Sequence, residues 1–133
     1  MHPYLPHYRP YQTTSAQVRS IAELLINALQ NRGFTTFREI LDANGPHFGP
    51  AQRNNVLYML SRVSSAVGLG AVTALVEGDA PNALQGFFNE FAPDVAVADR
   101  EVWIQQHRQT LYGNSAPLIR LLRFVISEVE RDD

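Results

Sequence analysis

From Ser15 to the end of the chain, apolar residues recur with the period of an α-helix, and no stretch shows the strict alternation or hairpin turns of a sheet. Val18, Ile21, Ala22, Leu25 and Leu29 share one face, widened by Leu24 and Ile26. They predict a first helix with Ser15 as N-cap and Gly33 just past its end. Thr36-Phe37-Arg38-Glu39 has the capping-box form, so Phe37, Ile40 and Leu41 predict a short second helix that Asn44-Gly45-Pro46 ends. Pro50 suits the first turn of a third, carried by Val56, Met59, Leu60, Val63 and Val67 and closed by Gly68.

Leu69, Val72, Leu75 and Val76, flanked by Gly70 and Gly78, predict another short helix. Pro81 then opens a segment with the aromatic stripe Leu84, Phe87, Phe88 and Phe91, which Pro93-Asp94 breaks. The next helix turns Trp103, Ile104, His107 and Leu111 inward and runs to Tyr112 before the stop signal Gly113-Asn114. The last pattern is the clearest. Ser115 caps it, Leu118, Leu121, Leu122, Val125, Ile126 and Val129 face inward, and Arg120, Arg123, Ser127 and Glu130 form the polar stripe. The expectation is an all-α fold: a compact bundle of about six or seven short helices forming a single domain over residues 15–133.

Residues 1–14 break the pattern. Pro3, Pro6 and Pro10 preclude a helix and favour extended, polyproline-like backbone. Tyr4, Tyr8 and Tyr11 stand between them and offer a large contact area at little entropic cost. The expectation is an extended Pro/Tyr-rich N-terminal arm, either loose, as chain ends ordinarily are, or docked on a protein partner through its tyrosines. Phe87 and Phe88 are adjacent, about 100° apart on a helix, so Phe88 is a further candidate for a protein-binding surface.

Composition alters the picture in three ways. Apolar content of 45% is enough for a packed core, while charged content of 18% is low and leaves amides such as Asn54-Asn55 and Gln105-Gln106 to furnish much of the surface. Such a surface favours association. All eleven basic side chains are arginine, and with no cysteine there is no disulfide, thiolate nucleophile or zinc–thiolate site. Charge is also split along the chain: six arginines against three acids up to Arg62, then five against ten. Opposite halves can dock within one molecule or between copies, head to tail. The N-terminus lacks a signal-peptide core and no apolar run spans a membrane, which points to an intracellular protein.

Catalytic signatures are sparse. His2, His7, His47 and His107 have no metal-ligand spacing, no serine sits in a nucleophile elbow, and Gly68-Leu69-Gly70 lacks the third glycine and lysine of a phosphate loop. No catalytic, cofactor-binding or metal-binding residue is expected, and no small-molecule substrate is evident. Two functional expectations follow. The first is a non-enzymatic protein–protein interaction or self-assembly module, such as a viral structural or accessory protein, binding through Tyr4, Tyr8, Tyr11 and Phe88. The second is a nucleic-acid-associated protein whose Arg19, Arg32, Arg53 and Arg62 meet phosphates, although a pI near 6.0 is unlike that of a duplex-binding domain.

Overall fold

A computed structural model describes residues 13–78 and 84–131. The fold is all-α: among these residues there are six α-helices, α1 (Ser15–Gln30), α2 (Phe37–Asn44), α3 (Pro50–Ala66), α4 (Gln85–Phe91), α5 (Arg100–Gly113) and α6 (Ser115–Arg131). The tyrosine-bearing arm, the Pro81 helix start and Asp132–Asp133 lie outside the described residues.

Local chemistry accounts for most helix ends. α1 is capped one residue earlier than the pattern suggests: Thr14 Oγ1 accepts from the Gln17 backbone N–H, and Gln17 Oε1 accepts from the Thr14 N–H in return. Thr13, also assigned to the arm, is buried against the domain. The far end of α1 departs from expectation as well. The left-handed position that terminates a helix is taken by Arg32 (φ 49°), not Gly33. Gly33 N–H returns to the Ala28 carbonyl and Arg32 N–H to that of Leu29, closing the helix in a Schellman turn. Across the fold, Tyr112 donates its hydroxyl to the Gly33 carbonyl at 2.6 Å, and the Arg32 guanidinium lies over the Tyr112 ring. These contacts hold an arginine where glycine is the ordinary choice. α3 ends in the same turn with the expected glycine, Gly68 at φ 78°.

α1 and α6 form the principal helix pair, and α1 also touches α2 and α3. They run antiparallel, with Arg19 near the start of α1 reaching Glu130 near the end of α6. Val18, Ile21, Leu25 and Leu29 meet Leu118, Leu122, Val125 and Val129 in one contiguous core. Each such side chain contributes about 1.5–3 kcal/mol by leaving water. The inward face of α6 is as the periodicity predicts, apart from Leu121, which is half-buried.

The segment read as a helix from Leu69 to Val76 is instead a 3₁₀ turn, Val72–Leu75, followed by a two-residue strand, Val76–Glu77 (β2). β2 pairs in parallel with Thr35–Thr36 (β1), so the fold contains a minimal sheet that the pattern did not disclose. The cause is burial on every side. Ala71 to Val76 are all buried, and a lone helix face cannot satisfy a segment surrounded by protein. Side chains do so instead. Thr73 N–H donates to Ser61 Oγ at 2.9 Å, Thr73 Oγ1 donates to the Leu57 carbonyl at 2.9 Å, and the two hydroxyls lie 2.6 Å apart. Because the Thr73 proton is committed to Leu57, Ser61 is the donor between them. Every group in this network is paired.

Two further groups from α5 clasp the same turn. Arg108, only 4% exposed, donates from Nε to the Ala74 carbonyl at 2.7 Å and from Nη1 to Glu77 at 3.3 Å, with its guanidinium over Phe34. His107 Nε2 accepts from the Ala71 N–H at 2.9 Å, and its ring stacks on Trp103. Acceptance at Nε2 places the ring proton on Nδ1, and burial pushes the imidazole below its ordinary pKa. Gly70 (φ 99°) allows the chain to pass here. A Cβ on it would stand 2.9 Å from Leu111 and 3.2 Å from His107.

Candidate docking surface

Of the expected protein-binding residues, Tyr4, Tyr8 and Tyr11 lie outside the described residues. Phe88 is a correction: it is 2% exposed, packed edge-on against Phe87 and Trp103 and covered by the Arg100 guanidinium. Phe87 is buried too, because α4 is only seven residues long and α5 closes over it. Neither ring reaches the surface.

The four arginines proposed for phosphate contact point to separate partners. Arg19 bridges Glu23 at 2.7 Å and Glu130 at 2.8 Å. The Glu23 hydrogen bond, with Glu130 beside it, raises its pKa further. Arg62 holds Glu90 at 2.6 Å. Arg53 lies 3.6 Å over the Phe37 ring, and Arg32 lies over Tyr112. Arg53 and Arg62 are nine residues apart on α3, which places them about 180° from each other. Arg19–Glu130 and Arg62–Glu90 join the basic N-terminal part to the acidic remainder within one molecule, so part of the charge split is used in folding.

Among the described residues, arginines that remain available lie elsewhere, on α6. Arg120, Arg123, Phe124 and Ser127 are all exposed and follow the i, i+3, i+4, i+7 spacing of a single helix face. Phe124, 48% exposed, sits within the polar stripe read from the sequence. Among the described residues no carboxylate pairs with Arg120 or Arg123, whereas Arg131 of the same helix pairs with Glu128 at 3.3 Å. Beside this stripe, α6 and α1 border an open groove of about 630 Å³. Arg123 and Ser127 form one wall and Asn27 and Gln30 the other, with the Arg19–Glu130 pair at one end. A smaller cleft of about 200 Å³ between α2 and α3 has Phe37 and Phe48 on its walls and half-exposed Leu41 and Arg53 on its rim.

A second unmatched region lies at the start of α5. Val97 and Val102 are 70% and 58% exposed. Around them Asp94, Asp99 and Glu101 are exposed and, among the described residues, unpaired. Asp99 occupies the N-cap position of α5 yet makes no side-chain capping bond. Sequence reasoning passed over Phe124, Val97 and Val102. The available signal was an apolar residue set among polar positions of a helical stripe or helix start.

Among the described residues no group of three His, Asp or Glu side chains is placed to hold a metal ion. Nor is any described helix long and apolar enough to cross a membrane. Comparison with protein families, with curated proteins and with solved structures yields no match to this chain.

Proposed function

We propose that this protein is a non-enzymatic protein–protein interaction module that docks through the outer face of α6. The observation that carries this reading is the exposed Phe124 beside Arg120 and Arg123, which have no carboxylate partner among the described residues. Elsewhere among the described residues the guanidinium groups meet carboxylates, carbonyls and rings of the same molecule. An aromatic anchor next to arginines is the composition enriched where proteins bind proteins. The groove beside it, walled by amides and Arg123, offers hydrogen bonds to a partner backbone. A lysine-free chain also suits a viral structural or accessory setting, where host modification of lysine finds nothing to act on.

The alternative, nucleic-acid contact through Arg19, Arg32, Arg53 and Arg62, has less to draw on. Two of those cations are already neutralised by Glu130 and Glu90, and the set does not share a face. Photo-crosslinking distinguishes a docking face from a merely solvated one. A photoreactive residue at position 124 is expected to give covalent protein adducts in cells that make the protein, while one at exposed Gln109 on α5 gives none. Equal yields at both positions, or none at 124, would overturn the reading.

A further inference from the structure

We infer that the partner of the α6 face is a second copy of this chain, presenting its Asp94–Val102 corner, so that copies add head to tail. This rests on the docking role just proposed for α6 and names its occupant. Each region supplies what the other lacks. The α6 face carries Arg120, Arg123 and exposed Phe124; the corner carries Asp94, Asp99 and Glu101 with exposed Val97 and Val102. Guanidinium groups meet carboxylates, and a ring meets aliphatic side chains. Opposite potentials of this kind steer encounter and fix register.

Like charges disfavour one form of the assembly. A two-fold pairing of α6 with α6 would set Arg120 and Arg123 against the same arginines of the other copy, and like charges repel. A heterologous contact avoids this. The joined pair then keeps one basic and one acidic region unused, and addition continues until the rotation closes a ring or a filament forms. Within one molecule the two regions are not paired with each other. The corner lies at the start of α5, about 20 Å of helix away from the junction with α6, and no ion pair joins them among the described residues. Exposed charge pairs around a small apolar contact give weak association that salt screens.

Sedimentation velocity over a concentration and salt series tests the inference. The wild-type protein is expected to grow in mean mass with concentration at low salt and to revert to monomer in about 0.5 M salt, where screening acts within a few ångströms. Arg120→Glu with Arg123→Glu, and separately Asp94→Arg with Asp99→Arg, should each weaken association about tenfold or more. Mixing the two reversed proteins should restore it, because the altered faces are complementary and the unaltered ones remain so. Phe124→Gln and Asp94→Asn with Asp99→Asn provide milder disruptions should a reversal unfold, as circular dichroism would reveal. A wild type that stays monomeric at every concentration in low salt, or that stops at a dimer, overturns the inference. So does a reversed pair that fails to recover on mixing while both proteins remain folded. Crosslinking at position 124 separates the two levels. Adducts at twice the 14.9 kDa chain mass support self-association, adducts of other masses alone overturn it while leaving α6 a docking face, and no adduct removes both.

Discussion

The buried turn at Ala71–Glu77 and the outer stripe of α6 treat polar groups in opposite ways. Around the turn, Ser61, Thr73, His107 and Arg108 are committed to named partners within the molecule. On α6, Arg120 and Arg123 are held by none of the described carboxylates. The difference teaches where folding energy resides. A buried donor without a partner costs about 1–3 kcal/mol, so the turn tolerates almost no change. An exposed arginine costs nothing to leave in water, so α6 can change its surface while the fold remains intact.

The largest break of that contrast is expected from Gly70→Ala. It forces a side chain into φ 99° and against Leu111 and His107, and should destabilise by about 3 kcal/mol, read from the urea midpoint. Ser61→Ala follows at about 2 kcal/mol, because the Thr73 N–H loses its acceptor in a buried site. Ser64→Ala, which removes only a 3.3 Å bond to the Ser61 carbonyl, should cost clearly less and marks the network's edge.

His107 sharpens the comparison through pH. Its folded pKa lies below the unfolded value near 6.5, so the unfolded chain binds the proton first. The stability attached to its neutral form is therefore complete above pH 6.5 and is lost as pH falls through the folded pKa. The slope is at most about 1.4 kcal/mol per pH unit. His107→Gln should flatten that part of the profile below pH 6.5; an unchanged slope would remove the account of His107. The smallest stability effect is expected from Arg120→Glu with Arg123→Glu, within about 0.5 kcal/mol by thermal melting. A larger loss would mean that the α6 arginines serve the fold after all.

Legibility in the sequence follows the range of each interaction. Helices α1, α3, α5 and α6 were readable because periodicity, caps and stop residues act within a few positions, as at Pro50, Gly68 and Gly113-Asn114. The short helix expected at Leu69–Val76 failed because four apolar residues between glycines fit any buried conformation, and Ser61, twelve residues before Thr73, decides which. Phe88 misled for a related reason: adjacent phenylalanines on a free helix must diverge, but α5 covers both. Part of the candidate docking surface was visible as the polar stripe of α6. Its significance was not, since it depends on which arginines find carboxylates.

The sequence by itself determined that this chain is helical, where most helices begin and end, and which face of α1 and α6 turns inward. Those properties arise from neighbours a turn apart. Only the tertiary structure decided that Arg108 is buried in the core, that Arg19 closes on Glu130, 111 residues away, and that Arg120 and Arg123 do not pair with any described carboxylate. A guanidinium is alike at every position in the chain, and its role is set by whichever oxygen or ring the fold brings beside it.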